Sequence, residues 1–328
     1  MDIKSDKPLL TIAIPTFNRA GWLDLCLSQI EKQAPSLGRQ VEILVSNNNS
    51  ADNTDDIVSR YVSSGLAITY IRNAENIGSD RNLLQCFKRS SGKYVLVMGD
   101  DDVILDNALG KIVSILEKGD YGVVFLNSYG FTDDFLAERP KARSRGHKVY
   151  ANVDEFISKA GYLMSFISVN IVNRKLVDEE LLEQLVNTNL VQLGWVFSAL
   201  FKSEKNVFVN EYSVAARMYN SGGYKLCEVF AVRFNKVFDI FIKRGIDKKK
   251  FRIINNKMLF KYFPAQIVRS RLNLLNLFPE DFYQSLYPLY KTYPKFWIFT
   301  VPAIFLPRSV SNLFYTLAKT VRQYTPFR

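Results

Sequence analysis

Short apolar runs alternate with segments of helical spacing over residues 9–126, and this alternation limits the fold more than any other feature of the sequence. Leu9 to Pro15 is a β-rich apolar run, and Arg19 to Gln33 follows it with apolar residues at helical spacing. The same pattern predicts further strands at 41–46, 67–71, 94–98 and 121–126, and helices at 54–61, 79–90 and 106–118. Strands separated by helices predict an α/β fold with a doubly wound, mostly parallel sheet.

Polar residues follow the predicted strands, and ligands of such sheets bind at the carboxyl ends of the strands. These residues are Thr16-Phe-Asn-Arg19, Asn47-Asn-Asn-Ser50, residues 73–81 and Gly99-Asp-Asp-Asp102. For residues 47–50, ordinary turn chemistry explains the composition at least as well as a ligand site does. The acidic triplet is more informative, because three adjacent carboxylates after a buried strand repel one another and a divalent cation relieves that repulsion.

The motifs that the chain lacks narrow the chemistry further. Neither a GxxxxGK[ST] loop nor a GxGxxG turn follows the first strand, which excludes a P-loop and a dinucleotide site. A nucleotidyltransferase would also need a glycine-rich, basic phosphate loop at that point. A hard metal held by one or two carboxylates and by substrate phosphates is typical of nucleoside diphosphate leaving groups. The triplet therefore favours phosphate-ester or glycosyl-phosphate chemistry.

Cysteine and histidine content bears on the compartment and on metal chemistry. Three cysteines without paired spacing and a single histidine exclude a zinc cluster and argue against a disulfide scaffold. Free thiols fit a reducing compartment. The first ten residues lack a basic region followed by an apolar core, so no secretory signal is expected. We therefore expect a cytoplasmic protein.

Positive charge is concentrated near the end of the chain. Residues 241–328 carry 16 Lys and Arg against 3 acids, whereas the remainder has 27 against 29. This contrast predicts a body over 1–240 and a helical, basic and aromatic region over 241–328. The apolar run 296–306 is shorter than the ~20 residues that cross a bilayer, and 309–324 has apolar residues at helical spacing. We expect this region to bind an anionic membrane surface. Packing on the body or on another subunit is the alternative. Binding to nucleic acid is not expected, because no recognition motif is present.

Motifs in the body resemble those of a known enzyme family. They are Ile14-Pro-Thr-Phe-Asn-Arg19, Val45-Ser-Asn-Asn-Asn-Ser-Ala-Asp-Asn-Thr54, Asn76-Ile-Gly78 with Arg81-Asn82, Gly92-Lys-Tyr94 and Gly99-Asp-Asp-Asp102. In this order they resemble glycosyltransferase family 2, which has the inverting GT-A fold, and within it the abequosyltransferase-like branch that builds O-antigen. The resemblance covers about residues 9–126 and continues more loosely to about 220.

The resemblance implies a site for a nucleotide sugar at the strand ends. Its residues would be Pro15, Thr16, Asn18, Asn47, Asn76, Gly78, Arg81, Asp100, Asp101 and Arg217. Asn47 stands where the family commonly has an aspartate that contacts uracil, so the donor base is left open. The family DxD motif aligns with Gly99-Asp100-Asp101, so its first carboxylate is missing. Asp101 and Asp102 are then expected to hold Mn²⁺ or Mg²⁺, with Asp102 also counted as catalytic.

Inverting transfer also needs a general base and a place for the acceptor. The resemblance puts the acceptor beside a strand over 166–174, where Ser168 and Asn170 are candidate contacts. An acidic pair is expected near 191–193, but no carboxylate stands there. Glu180 and Glu183 are the remaining candidate bases, and the solvated face of a helix over about 176–187 explains them equally well.

Together these features predict a metal-assisted, inverting glycosyltransferase. It would move a sugar from a nucleotide diphosphate sugar to a hydroxyl of a polyprenyl-diphosphate-linked glycan, in bacterial surface polysaccharide synthesis. It would work peripherally on the inner face of the cell membrane, and homo-oligomerisation is left open. The alternative is a catalytically silent GT-A scaffold that binds nucleotide or glycan at the membrane, which the missing DxD carboxylate and acidic pair favour.

Overall fold

The computed structural model describes residues 7–141, 144–218, 224–275 and 278–313. The chain divides into two compact units, Met1–Met218 and Tyr219–Arg328. The division comes earlier than the boundary after residue 240 that the charge distribution led us to expect. The reason is that the helix Phe234–Lys243 packs on other helical segments of the second unit.

The first unit consists of strands and helices that largely alternate. Its strands are β1 (Leu10–Thr16), β2 (Val41–Asn47), β3 (Ile68–Arg72), β4 (Tyr94–Val97), β5 (Val103–Ile104), β6 (Val123–Phe131), β7 (His147–Tyr150), β8 (Asn170–Asn173) and β9 (Asn206–Arg217). Its α-helices are α1 (Ala20–Glu31), α2 (Thr54–Ser63), α3 (Ser79–Arg89), α4 (Ala108–Glu117), α5 (Val153–Ala160), α6 (Glu179–Gln184) and α7 (Gln192–Lys202). The five strands and four helices expected over residues 9–126 are all present.

One mixed sheet runs through this unit. The strand order is β3-β2-β1-β4-β8-β6-β9-β5, and β7 pairs with β9. Strands β1 to β4 pair in parallel, which confirms the doubly wound arrangement expected from the sequence. Beyond β4 the pairing becomes mixed, because β8 lies antiparallel between β4 and β6, whereas β9 lies parallel to β6. The α/β fold with flanking helices is thus confirmed.

The register brings the polar loops to one edge of the sheet. Thr16 pairs with Asn47, and Asn47 pairs with Arg72, so β1, β2 and β3 end side by side. The chain continues from β1 to β2 and β3 on one side, while β4 lies on the other side of β1. Ligands of open α/β sheets bind at such a switch in strand order. The loop after β1 and the acidic loop after β4 meet at this position.

The core of the first unit is apolar on both faces of the sheet. Four residues of β1, Leu10, Ile12, Ala13 and Ile14, are completely buried. Such near-continuous burial is typical of parallel strands covered by helices on both sides. The ring of Phe87 on α3 stacks on that of Trp195 on α7 at 5.0 Å between centroids. This core gives the loops at the sheet edge a rigid base.

The second unit is helical in its described residues. Its α-helices are α8 (Phe234–Lys243), α9 (Lys248–Lys257), α10 (Phe263–Arg271), α11 (Phe282–Tyr290) and α12 (Val301–Phe305), and π-helical segments cover Glu228–Arg233, Met258–Tyr262 and Phe296–Thr300. The helical character expected of this region is confirmed. No helix among the described residues is both long and apolar enough to cross a bilayer. The amphipathic segment expected over 309–324 lies outside the described residues from 314 onward.

Candidate functional site

The acidic triplet lies at the edge where β1 and β4 run side by side. Asp100, Asp101 and Asp102 follow β4, and all three are buried. The hydroxyl of Thr16, at the end of β1, donates a hydrogen bond to Asp100 Oδ2 at 2.7 Å. This bond joins the two strand ends directly, so Thr16 and the triplet lie together at this edge of the sheet.

Asp102 is fixed by the end of β9 and by the turn that precedes β8. Its Oδ1 accepts a hydrogen bond from the backbone N–H of Arg217 at 3.0 Å. Its Oδ2 accepts one from the hydroxyl of Ser168, whose oxygen in turn accepts from the backbone N–H of Gly99 at 2.9 Å. The structure therefore brings together Asp102, Ser168 and Arg217, although 115 positions separate the first from the last.

A guanidinium group partly balances the charge of the triplet. Arg19 Nη1 lies 2.8 Å from a carboxylate oxygen of Asp101 and 3.3 Å from one of Asp100. The Arg19 side chain is a little more than one-third exposed, whereas the two carboxylates are buried. Arg19, at the start of α1, therefore lies between the buried triplet and solvent.

Burial and a neighbouring negative charge raise the pKa values of Asp100 and Asp102. Burial, and next the charge of Asp101, raise the pKa of Asp100 to about 6, against the opposing effect of Arg19. Burial and the charge of Asp101 raise the pKa of Asp102 to about 8, against the hydrogen bond from Ser168. A cation beside these groups would favour their ionised forms. The site is thus suited to binding a positively charged group.

Arg217 is held beside the triplet by an aromatic ring. Its guanidinium carbon lies 3.4 Å from the centroid of the Trp22 ring on α1 and 5.8 Å from that of Phe131. Its backbone N–H is the one that donates to Asp102. Stacking of this kind orients the guanidinium plane while its N–H groups remain able to donate. A cationic donor therefore stands at the edge of the acidic site.

The loop after β1 is shaped by its contacts with the loop after β2. Pro15 lies within β1 and pairs with Ser46 of β2. Asn18 has a left-handed backbone with φ of 52°, a conformation that asparagine tolerates better than most residues. Its Oδ1 accepts from the N–H of Ala51 at 2.7 Å, and its own N–H donates to Ser50 Oγ at 2.9 Å. Both predicted residues thus lie at the sheet edge.

Asn47 is completely buried, and its amide is used by groups of its own loop, of α2 and of β3. Its Nδ2 donates to the hydroxyl of Tyr70 at 2.7 Å and to Asp55 at 3.2 Å. Its Oδ1 accepts from the backbone N–H of Ser50 at 2.8 Å. In this conformation Asn47 holds the loop together, and the contact with a nucleotide base stays a prediction.

Asn76 and Gly78 form the entry to α3. Asn76 Oδ1 accepts from Asn48 Nδ2 at 2.7 Å and from the N–H of Gly78 at 2.9 Å. Gly78 has a φ of 85°, a backbone conformation in which a residue with a side chain would be strained. The strain would come from the backbone alone, because no neighbouring atom lies within 4 Å of where a Cβ would stand. Arg81 follows in the first turn of α3 and is exposed. These residues border the sheet edge at the end of β3.

Ser168 and Asn170 have different roles. Ser168 lies just before β8, and Asn170 is the first residue of that strand. Ser168 contacts Asp102 directly, as described above. Asn170 is buried, and its Nδ2 donates to the carbonyl oxygens of Met164 and Phe166 at 2.9 and 2.6 Å. Asn170 therefore supports the turn that presents Ser168, and its acceptor contact stays a prediction.

The candidate bases Glu180 and Glu183 are exposed residues of the short helix α6. Glu183 pairs with Lys88, and the hydrogen bond from Lys88 lowers the pKa of Glu183, with the charge of Arg81 adding to the effect. None of the hydrogen bonds of the triplet described above involves either glutamate. The structure therefore does not join these two residues to the acidic site.

The position where an acidic pair was expected holds Gln192, the first residue of α7. Its side chain is buried, and its Nε2 donates to the carbonyl oxygen of Ser165 at 2.7 Å. This bond ties α7 to the same segment that presents Ser168. An amide cannot take up a proton at neutral pH, so Gln192 positions this segment and does not act as a base.

Three contributors to the site, Arg19, Trp22 and Asp52, were given no individual role by the sequence. Arg19 ends the first motif, and Trp22 follows it in α1, but their partners lie far along the chain. Asp52 accepts from the backbone N–H of Ala20 at 2.9 Å and so fixes the start of α1. Burial alone would raise the pKa of Asp52. Hydrogen bonds from the Thr54 hydroxyl and from backbone N–H groups, that of Ala20 among them, outweigh this effect and lower the pKa. Only the sheet topology reveals these contacts.

A sequence model of one enzyme family matches just over half of the chain. It is described as "Glycosyl transferase family 2", and the match covers residues 11–183. This stretch contains all of β1 except its first residue, β2 to β8, the acidic triplet and the Ser168 segment.

Two similar proteins with curated names are glycosyltransferases. Abequosyltransferase RfbV of Salmonella typhimurium is 31% identical over 111 residues, which is 34% of this chain and 33% of that protein. The "GalNAc(5)-diNAcBac-PP-undecaprenol beta-1,3-glucosyltransferase" of Campylobacter jejuni is 28% identical over 162 residues, or 49% of each chain. The matched part thus spans between a third and a half of these relatives.

Solved structures resemble the chain over nearly its whole length. TarS 1–349 of S. aureus in complex with UDP-GlcNAc has a TM-score of 0.59 at 15% identity, over 90% of this chain and 81% of that one. The same protein in complex with UDP has a TM-score of 0.59 at 17% identity, over 96% and 88%. At such identities the likeness concerns the fold alone.

Proposed function

The chain belongs to glycosyl transferase family 2. From that premise we propose that it transfers a sugar from a nucleoside diphosphate sugar to a hydroxyl of a lipid-linked glycan. The transfer would invert the configuration at the anomeric carbon. The observation that carries the proposal is the buried acidic triplet at the switch in strand order, joined to β1 through Thr16 and Asp100. Ligands of this sheet type bind at that edge. We place the reaction in bacterial surface polysaccharide synthesis, such as that of O-antigen.

The proposed donor site lies along the ends of β1, β2 and β3. Pro15, Thr16 and Asn18 would border the nucleoside, and Asn76, Gly78 and Arg81 would border it from the start of α3. Asn47 would shape this pocket through its loop contacts.

Asp101 and Asp102 fit a divalent ion by the chemistry of their side chains. Carboxylate oxygens are the ligands that Mg²⁺ and Mn²⁺ prefer, and burial together with the charge of Asp101 raises the pKa of Asp102, which a bound cation would offset. No group of three or more His, Cys, Asp or Glu side chains in the described ranges could hold a metal by itself. One or two carboxylates suffice, however, when substrate phosphates complete the shell. When bound there, Mn²⁺ or Mg²⁺ would supply positive charge to the leaving diphosphate.

The side chains around the triplet position the reacting groups. Arg217, stacked on Trp22, would donate to phosphate oxygens of the leaving nucleoside diphosphate. Asp100 would be held by Thr16 and Arg19, while Ser168 would keep Asp102 in place beside the donor. Fixed donors and charges of this kind stabilise the charge that develops in the transition state without reorganising.

The acceptor side of the proposal rests on the second half of the first unit. Ser168 would lie nearest to the acceptor hydroxyl, and Asn170 would support it. Glu180 and Glu183 remain the proposed general bases, and Glu180 is the better of the two because Glu183 is paired with Lys88. A base with a lowered pKa takes up a proton less readily.

The proposed partners follow from the acceptor. The relative from Campylobacter jejuni is named for a polyprenyl-diphosphate-linked glycan. We propose an acceptor of the same class, which would place this chain peripherally on the inner face of a bacterial cell membrane.

A donor panel tests the proposed function. Purified protein is incubated with Mn²⁺ and UDP, CDP, GDP or dTDP sugars, and release of nucleoside diphosphate is measured with and without a polyprenyl-diphosphate-linked glycan. We expect turnover with one base class, and we expect it to rise when the acceptor is added. Absence of turnover with every donor and acceptor, together with intact nucleotide binding, would favour a silent scaffold instead.

A substitution of Trp22 tests the role given to Arg217. Trp22→Leu removes the ring under the guanidinium, so we expect the KM for the donor to rise about tenfold, since a cation–π contact contributes roughly 0.5–2 kcal/mol. Trp22→Phe keeps a ring face and should restore most of the affinity, whereas kcat should change less than KM in both. Steady-state kinetics of the three proteins measure this. Equal KM values in the leucine and phenylalanine variants would show that the ring face does not matter.

A further inference from the structure

We propose that one face of the C-terminal unit binds the anionic surface of a lipid bilayer. The face, called here the aromatic ridge, consists of Tyr287, Trp297, Ile298 and Phe305. The inference rests on the proposed function, because a lipid-linked acceptor is reached at a membrane. It goes further by naming the surface that makes the contact.

Exposed apolar side chains are concentrated in this unit. Thirteen large apolar residues are exposed in the described ranges, and eight of them belong to the C-terminal unit, although that unit is the smaller of the two. These eight residues are Phe260, Leu274, Phe278, Tyr287, Trp297, Ile298, Phe305 and Leu313. Within the ridge, Ile298 is 62% and Phe305 is 64% exposed. Clustered exposed apolar surface marks an interaction site on a protein that is otherwise well packed.

Ring contacts connect the three aromatic members of the ridge, and Ile298 follows Trp297 directly in the chain. The ring of Tyr283 lies 5.3 Å from that of Tyr287 and 5.5 Å from that of Phe305. Tyr287 in turn meets Trp297 edge-on at 6.1 Å. α11, the π-helical segment Phe296–Thr300 and α12 thus present their aromatic side chains on one shared surface.

The tryptophan at the centre of the ridge is held in place by the backbone. Trp297 Nε1 donates a hydrogen bond to the carbonyl oxygen of Lys291 at 2.8 Å while the ring remains 46% exposed. Behind it, Thr300 donates to the carbonyl oxygen of Leu259 at 2.8 Å, which joins two π-helical segments. An ordered, amphipathic aromatic face of this kind is typical of residues at the level of lipid headgroups.

Lysines flank the ridge. Lys291 Nζ lies 5.9 Å from the ring of Tyr287, and Lys295 Nζ lies 5.6 Å from that of Phe260. The surrounding sequence, residues 241–328, has 16 basic residues against 3 acidic ones. Apolar aromatic side chains next to positive charge match the acyl and phosphate layers of an anionic bilayer.

The charge also decides between a membrane and a second copy of this chain. Bringing two such ridges together would oppose two strongly basic surfaces, and like charges across an interface are unfavourable. An anionic lipid surface instead neutralises the lysines while it takes up the apolar side chains. We therefore commit to lipid as the occupant.

Vesicle binding by the full chain tests the inference. Co-sedimentation is measured with vesicles of phosphatidylcholine alone and of phosphatidylcholine with phosphatidylglycerol. The unsubstituted protein should bind the anionic vesicles at least about tenfold more tightly than the neutral ones. Trp297→Ser/Ile298→Ser/Phe305→Ser should lose at least about tenfold of that binding.

A matched control and a charge variant complete the design. Leu136→Ser/Leu163→Ser removes two exposed apolar side chains of the first unit and should leave vesicle binding unchanged. Lys291→Glu/Lys295→Glu keeps the aromatic face and should weaken binding to anionic vesicles alone, which guards against a folding defect in the serine variant.

Three results would overturn the inference. They are equal vesicle binding by the serine variant and the unsubstituted protein, equal binding to neutral and anionic vesicles, and a dimer in light scattering that the serine substitutions dissociate. Donor turnover without vesicles reports separately on the proposed function, and the ridge variants should retain it. A failure of turnover with intact vesicle binding would therefore reject the proposed function while leaving the lipid-binding surface in place.

Discussion

Asp102→Asn will reduce sugar transfer by about a thousandfold or more while the protein stays folded. A charge that stabilises the leaving group contributes several kcal/mol to the transition state, and each 1.4 kcal/mol is about a tenfold change in rate. An asparagine keeps the shape of the side chain. Its oxygen can still accept from the N–H of Arg217, and its Nδ2 can donate to Ser168 Oγ. The loss is measured as kcat with the best donor of the panel.

Controls separate loss of charge from loss of fold. Asp101→Asn should cause a loss of similar size, because both carboxylates are assigned to the same ion. Asp56→Asn, at an exposed position on α2, should leave transfer unchanged. Undiminished turnover in both triplet variants would reject the metal assignment at Asp101 and Asp102.

The stability of the metal-free protein will show the cost of burying the triplet. The pKa values of Asp100 and Asp102 are raised to about 6 and about 8, from an ordinary value near 3.8. Between the ordinary and the raised values the native state holds protons that the unfolded state has released. The triplet is therefore destabilising over this window: its contribution to the free energy of unfolding falls as pH rises from about 4 to about 8.

Asp102→Asn isolates this contribution. The substitution removes the group that resists ionisation most, so the variant should be more stable than the unsubstituted protein at pH 8 by about 1–3 kcal/mol. The difference should shrink toward pH 4, because the native carboxyl stays protonated while the unfolded-state carboxyl takes up protons as pH approaches its ordinary pKa near 3.8. Urea unfolding in EDTA at pH 4.5, 6 and 8 measures it. An asparagine variant that is less stable at pH 8, or a difference independent of pH, would contradict the assigned electrostatics.

Much of the first unit was predictable because its local patterns agree with its tertiary environment. β1 is an apolar run that is buried on both faces, and α3 follows a polar loop that ends in Gly78 with positive φ. Loops at the carboxyl ends of parallel strands share one edge, so Thr16 and the triplet could be placed together from strand order alone. The short strand β5 was missed, because two residues carry no periodic signal.

Contacts between distant positions were beyond the reach of these patterns. The stacking of Arg217 on Trp22 depends on how β9 ends relative to α1, which no local spacing records. The buried environment of Asn47 likewise follows from Tyr70 on the neighbouring strand. The division after Met218 differs from the boundary that charge counting indicated, since α8 carries both acidic and basic residues but packs with the helical segments of the second unit.

A crystal structure with Mn²⁺ and a nucleoside diphosphate is the most direct test of the claim that the acidic edge of the sheet carries the chemistry. The account predicts that the ion contacts Asp101 or Asp102 and that the diphosphate lies within hydrogen-bonding distance of the Arg217 guanidinium. A nucleotide bound elsewhere on the chain, or a diphosphate and ion that leave all three aspartates untouched, would contradict it.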